Sequence, residues 1–313
     1  MDASELEGHR RRLWWLCYRM TGVAADADEL VQDTFLRALE APPHDSSREL
    51  LPWLFRVATN ASTDLLRKRA VRGYRGDWLP APVELESLID EGLSPSAHYG
   101  QRESLSYAFL IALEALSPVQ RAVLLLRDVF DYSVRETAEA LALSEANVKT
   151  QHHRARVALQ NYERDRRVPD PAREGLSRAA MLRLLALSAL GDVAAVERLL
   201  AQDVEAVNDA NGEFYAIGRP ARSSPRRVAV FFVRFSPKTR VLRAYAGMFN
   251  GLPGIATELE PVIEGGGRTV VNLFDADRTG AVTRYYGVLA TRKLAHLPFA
   301  QAGLPPATLV SPS

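Results

Sequence analysis

Trp53, Arg56, Asn60, Asp64 and Arg67 recur at steps of three or four residues, a spacing that gathers side chains on one face of an α-helix. Together they offer the chemistry of single-strand recognition. An indole stacks on a base, an amide reads a base edge, and arginine holds phosphate. The face runs on into the basic cluster Leu66-Arg67-Lys68-Arg69. A solvated helix face with Trp53 partly in the core has the same spacing, so spacing alone leaves both readings open.

Two more constellations stand out. Lys149, His153 and Arg156 lie opposite Val148, Ala155 and Leu159 on one helical pattern, with Arg154 flanking. Apolar side inward and basic side outward is the arrangement of a major-groove recognition helix. Earlier, Asp26, Glu29 and Asp33 form an acidic stripe beside Asp28, Gln32 and an exposed aromatic, Phe35. Such a surface docks on a basic protein partner or is simply solvated. His152-His153 suggests a metal, but adjacent helical residues point in different directions and no acidic or cysteine partner sits at ligand spacing. No metal or cofactor is expected. The single cysteine, Cys17, rules out an intrachain disulfide framework and lies among apolar residues, where it reads as a small buried hydrophobe.

The elements that must carry these residues follow from periodicity. Residues 10–70 read as helices, with Leu30, Val31, Thr34 and Ala38, then Leu54, Val57, Ala58, Ala61 and Leu65, at helical spacing. Ser46 and Glu49 make a capping box, and Pro52 falls in the first turn. Residues 73–102 are rich in Gly and Pro and lack periodicity, as a linker does. Ser117-Pro118 with Gln120, Ser133 with Glu136, and Ser144 then cap three short helices, the last two joined by a tight turn near Leu143: a helix-turn-helix. Beyond the junction RDRRVPDPARE the texture becomes α+β. A helix pair over 176–200 breaks at Gly191-Asp192 and leads into the β-rich runs DVEAVND, EFYAI, TRVLRAYAGMF, RTVVNLF and VTRYYGVLA. Asp277-Arg278-Thr279-Gly280 separates the last two like a hairpin.

Bulk properties fit this division. A chain of 313 residues suggests two or three domains, and 47% hydrophobic with 25% charged residues is ordinary for a soluble protein. The net charge of +1 conceals basic and acidic segments that cancel. The N-terminus is charged where a signal peptide would be apolar, and no apolar run approaches the ~20 residues that span a bilayer. A cytoplasmic protein with no membrane partner is the expectation.

At the residues that carry the chemistry the chain resembles a known family. Tyr18-Arg19-Met20-Thr21-Gly22 and the stretch Ala25–Arg37 look like region 2 of extracytoplasmic-function (ECF) RNA polymerase sigma factors. Trp53–Asn60 is similar to its promoter-melting segment. Leu116–Val123, Arg127-Asp128-Val129 and the helix-turn-helix resemble region 4. The C-terminal part resembles the SnoaL-like extension of one ECF subgroup, a cone-shaped α+β fold. Trp78-Leu79-Pro80-Ala81-Pro82-Val83 looks like that subgroup's linker signature, with Ala81 where an acidic residue is usual, and Asn250-Gly251-Leu252-Pro253-Gly254 matches a later motif. Asp209-Ala210-Asn211-Gly212-Glu213 stands where Asp-Gly-Gly-Gly-Lys is usual, and Ala290–Leu294 keeps only the final Lys-Leu of Asn-Pro-Asp-Lys-Leu. Glu264–Arg268 resembles the first of these in letters but sits late enough to read as a strand-connecting turn.

The resemblance implies an all-α region 2 over 1–72, a linker over 73–102, an all-α region 4 over 103–167, a SnoaL-like domain over 168–298 and a tail over 299–313. It implies core RNA polymerase and promoter DNA as partners, requires no anti-sigma factor, and makes the chain no enzyme. Asp28, Gln32, Asp33 and Phe35 would engage polymerase. Trp53, Arg56, Asn60, Asp64, Arg67, Lys68 and Arg69 would meet the −10 element, with Ser46, Ser47 and Arg48 in the loop that captures a flipped base. Lys149, His153, Arg154 and Arg156 would read the −35 element. Trp78, Leu79, Pro80, Pro82, Asp209, Gly212, Asn250, Gly251, Lys293 and Leu294 would make the contact through which the extension regulates the sigma core in cis. Two alternatives remain. The C-terminal domain is a small-molecule receptor, lined by Tyr245, Phe249, Tyr285 and Tyr286, or an enzyme using Asp203, Asp209, Asp275 or Asp277, although residues 174–295 contain no histidine. Otherwise the helix-turn-helix serves a conventional activator.

Overall fold

The computed structural model describes residues 3–41, 50–74, 76–84, 100, 102–164, 170–213, 224–235, 240–260 and 268–297. Two compact units emerge: Met1–Gly73 with Leu88–Arg167, and Tyr74–Ser87 with Val168–Ser313. The stretch 74–87 therefore belongs with the C-terminal part, although the chain on either side of it belongs to the first unit.

The first unit is helical. Helices α1 (Ala3–Glu7), α2 (Arg10–Thr21), α3 (Ala24–Glu40) and α4 (Leu50–Arg72) pack through Leu13, Leu16, Cys17 and Met20 of α2 against Leu30, Val31 and Ala38 of α3 and Leu54, Phe55 and Ala58 of α4. Gly22 ends α2 at φ 68°, its amide donating to Tyr18 O, because only a residue without Cβ enters the left-handed region at no cost. After α5 (Tyr107–Leu113) and α6 (Pro118–Leu124), the turn Leu125–Val129 widens to a π-helical one. Helices α7 (Val134–Leu141), α8 (Glu145–Ala158) and α9 (Gln160–Arg164) complete the unit. Two of the three capping boxes read from the sequence form, at Ser117/Gln120 and Ser133/Glu136, and Ser144 caps α8. Ala142, left-handed at φ 53°, turns α7 into α8 over a small core of Val123, Ala138 and Val148. The Ser46/Glu49 box lies outside the described residues.

The second unit is α+β. Helices α10 (Pro171–Ala189) and α11 (Val193–Arg198) lead into β1 (Leu200–Asp209), α12 (Pro225–Phe235), β2 (Val241–Phe249), β3 (Leu252–Leu259), β4 (Thr269–Ala276), β5 (Val282–Val288) and α13 (Thr291–Leu294). The sheet runs β1-β5-β4-β3-β2; β1 pairs β5 in parallel and the other neighbours are antiparallel. Helices and sheet share a core of Met181, Leu184, Val196, Val228, Phe274 and Tyr285.

The sequence reading missed α12, although Val228, Phe231, Phe232 and Phe235 recur there at helical spacing, and it read the Asn250–Gly254 motif without its strand. Asn250-Gly251, both with positive φ (49° and 78°), forms the two-residue turn joining β2 to β3, the backbone that tight hairpins favour. Pro253 and Gly254 read as turn residues but lie in β3. A Cβ on Gly254 would stand 2.5 Å from Leu273 Cδ2 and 2.8 Å from Asn272 O, so strand packing requires glycine here. The Asp277–Gly280 hairpin forms as read, Asp277 Oδ1 accepting from the amides of Thr279 and Ala281. The run EFYAI falls mostly, and Glu264–Gly267 wholly, outside the described residues.

Candidate nucleic-acid interface and linker clamp

Helix α4 buries Leu54, Phe55, Ala58, Thr59, Ser62, Thr63 and Leu66, which fixes its rotation. Arg56, Asn60, Asp64, Arg67 and Lys68 are consequently exposed and Trp53 is half-buried, so the face read from the spacing exists as a surface. Asp64 and Arg67 pair at 3.2 Å in the open, a contact worth little by itself. Arg69 turns the other way, donating to Thr21 O at 3.0 Å. Ser46, Ser47 and Arg48 lie outside the described residues.

On α8, burial of Val148, Ala155 and Leu159 leaves Lys149, His153, Arg154 and Arg156 exposed. His152 does have an acidic neighbour, one that helical spacing could not show: Asp128, on the π-helical turn, lies 2.6 Å from its Nε2. The pair ties the basic helix α8 to the preceding turn.

The acidic face of α3 differs from the expectation in two places. Phe35 is not exposed: it packs inward, with the Arg10 guanidinium 5.0 Å from its ring centroid. Asp26 is buried as well. Asp28, Glu29, Gln32 and Asp33 remain exposed, Asp28 accepting from Trp14 Nε1 at 2.7 Å. The exposed apolar side chains are Leu36 and Leu39, at 56% and 52%. Both fall outside the buried stripe of Leu30, Val31, Thr34 and Ala38, and that phase was the available signal.

In the second unit, side chains of the α+β domain hold the segment 74–84 largely by its backbone. Asp209, at the end of β1, accepts from Leu79 N at 2.7 Å and from Tyr74 Oη at 2.5 Å. Lys293 donates to Leu79 O and to Asp209 Oδ2, both at 2.5 Å. The Asp209 and Lys293 side chains are 0% and 4% exposed, so each charge depends on the other. The rings of Tyr74 and Trp78 flank the ammonium at 4.7 and 4.5 Å. Further along, His296 Nε2 lies 2.8 Å from Pro82 O. Asn250 accepts from Val83 N with its side chain and donates its own amide to Val83 O. Leu79, Pro80, Pro82 and Leu294 are buried, while Gly212 and Gly251 serve as left-handed turn residues at φ 70° and 78°.

Residues 6–72 match the family Sigma-70 region 2, and residues 108–159 match Sigma-70, region 4. The ECF RNA polymerase sigma factor SigJ of Mycobacterium tuberculosis is 35% identical over 271 residues, 82% of this chain and 83% of that relative. This chain belongs to the ECF RNA polymerase sigma factors. SigG of the same organism is 38% identical over 178 residues, which cover 50% of this chain and 47% of SigG. The crystal structure of M. tuberculosis SigJ superposes with a TM-score of 0.66 at 27% identity, covering 94% of this chain and 98% of SigJ.

The sigma factor thus carries all-α regions 2 and 4 and an α+β SnoaL-like domain beyond them. Within that domain Phe249, Tyr285 and Tyr286 are buried, and Tyr285 packs among Phe231, Phe232 and Phe274 as core. Asp275 is an ion-pair partner, 2.9 Å from Arg173 and 3.8 Å from Arg284. Of the letters that survive in the two altered motifs, Asp209, Gly212, Lys293 and Leu294, the two charged ones meet. Glu213, standing where lysine is usual, accepts from Thr291 N at 3.1 Å and so links the two motifs. Sequence reading missed Tyr74 and His296, although each lies within four residues of a quoted motif. No described helix is long and apolar enough to cross a membrane.

Proposed function

We propose that the SnoaL-like domain regulates this sigma factor in cis by clamping the chain that connects regions 2 and 4. The observation that carries the proposal is the grip on Leu79, whose amide and carbonyl are both taken by the buried Asp209–Lys293 pair. A free linker of residues 73–102 reaches at most roughly 100 Å at about 3.5 Å per residue. With 74–84 held, residues 85–102 contribute at most roughly 60 Å, and the held segment adds only a fixed length of its own. Clamping therefore limits how far the two DNA-binding regions separate, and it acts only through the difference in contact energy between held and released linker. On this reading Trp53, Arg56, Asn60, Asp64, Arg67 and Lys68, with Ser46, Ser47 and Arg48, meet the −10 strand. Lys149, His153, Arg154 and Arg156 read the −35 element. Asp28, Gln32 and Asp33, joined by Leu36 and Leu39, form the polymerase-facing surface, with Phe35 as its inward support.

In vitro transcription with purified core polymerase tests this, comparing full-length protein with a 1–170 truncation. Core-dependent transcripts of different yield are expected. Equal promoter output from the two proteins would overturn regulation by the C-terminal domain.

A further inference from the structure

The register of the sheet sets one row of side-chain positions across all of its strands. Asn208 of β1 pairs with Gly287 of β5, Gly287 with Asn272 of β4, Asn272 with Ile255 of β3, and Ile255 with Ala246 of β2. Paired residues share a face. Asn208 lies two positions from Ala206 and Asn272 two from Phe274, both core residues, so the row is on the helix-covered face.

Two amides on an otherwise apolar face need a reason. Tyr285, its ring walled by Phe231, Phe232 and Phe274, brings its hydroxyl between them, 2.8 Å from Asn272 Oδ1 and 3.3 Å from Asn208 Oδ1. Burial pushes this phenol up, so the hydroxyl stays protonated, and its one proton serves one oxygen. Neither asparagine Nδ2 has a hydrogen-bond partner among the described residues, and neither is sealed, since both side chains are only half-buried. Gly287 makes the cluster possible: a Cβ there would collide with Asn208 Oδ1 and stand 2.7 Å from Tyr285 Oη.

We propose that this row binds an apolar molecule through a neutral carbonyl oxygen, taken by the Nδ2 groups of Asn208 and Asn272 on the face of β1 opposite the linker clamp. The donors select the ligand class. Free amide N–H groups beside one hydroxyl call for an acceptor. No charged side chain bonds to the cluster among the described residues, so a carboxylate or phosphate would lose its hydration there without a counter-ion. A ketone, amide or ester oxygen gives up far less. Half-buried Phe231 and Phe232 on α12, with Ile255 in the row, supply apolar contact for the rest of the molecule.

The placement links the site to the clamp. Asn208 immediately precedes Asp209, and successive strand residues point to opposite faces, so both sites share the end of β1. Occupancy therefore bears on the hold on Leu79, a clause that rests on the clamp proposed above.

The test uses the full-length protein and the neutral naphthyl ketone Prodan, whose emission shifts to the blue in apolar surroundings. Saturable binding at one site is expected. Acetylnaphthalene should displace the probe about 5-fold better than ethylnaphthalene, which lacks the acceptor, and naphthoate should compete least. Asn208→Leu and Asn272→Leu should each weaken probe binding about 5–10-fold. The site is overturned if binding does not saturate, if naphthoate competes as well as the ketone, or if both variants bind like wild type. The competition order needs only the wild-type fold, so it decides even where a variant fails to fold. Binding is read without polymerase or promoter and stands apart from the clamp's effect on transcription. The link has its own readout: by reciprocity, the Asp209→Leu/Lys293→Met double variant should change probe affinity about 3-fold or more. Unchanged affinity in that variant would overturn the link to the clamp.

Discussion

At the scale of single residues, burial decides what each group can do. Cys17 lies fully buried on α2, and burial raises its thiol from 9.0 to about 12, partly offset by a hydrogen bond with Ser62. A thiol is nucleophilic only as thiolate, so Cys17 is no redox sensor in the folded chain. Iodoacetamide at pH 8 should modify it at least about 100-fold more slowly than in urea-unfolded protein, read by mass spectrometry, with the rate set by unfolding. The pH dependence has a definite sign. Because the folded value is raised, this group's contribution to stability is complete below about pH 9 and is lost as pH climbs through about 12. Fast native-state alkylation at pH 8 would contradict the burial. Arg69 shows the converse, since a basic letter in a basic cluster is here committed to a helix terminus.

At the scale of elements, short helices depend on their ends. Helix α7 has eight residues, too few to hold by propensity, and its capping box joins Ser133 to Glu136 in both directions. Glu136 is held below the usual carboxylate range by the Ser133 hydroxyl first and then the Ser133 amide. Ser133→Ala should cost about 1 kcal/mol of stability, measured by denaturant titration, and should weaken −35 binding because α7 supports α8. Unchanged stability would mean that tertiary packing alone maintains α7. The π-helical turn before it has a comparable role, presenting Asp128 to His152.

At the scale of the whole molecule, a buried ion pair joins a linker segment to a domain more than a hundred residues further on. Lys293→Met leaves Asp209 buried without its counter-ion, at a cost of about 3–5 kcal/mol, while the double change with Asp209→Leu should recover much of the stability. Thermal unfolding of the three proteins gives the coupling directly. If the clamp regulates transcription, the stable double variant should also show the promoter output of the 1–170 truncation rather than that of the wild type. A single variant no less stable than wild type would mean that the Asp209–Lys293 pair does not hold the linker.

The sequence alone determined the helical regions, their caps, the helix-turn-helix and the exposed faces of α4 and α8, because those follow from spacings of three and four residues and from local capping chemistry. It also marked most of the α+β strands by their composition. It misread Phe35 and Asp26, whose burial depends on which side of α3 meets α2 and α4. It missed β3, whose Pro253-Gly254 looks like a turn until Leu273 packs on it. Tertiary structure alone decided that Asp209 meets Lys293 around Leu79, that His152 meets Asp128, and that Arg121 reaches Met20. The physical reason is common to all three. Local pattern fixes which face an element buries, but partners separated by 24 to 214 residues are chosen by how those faces close on one another.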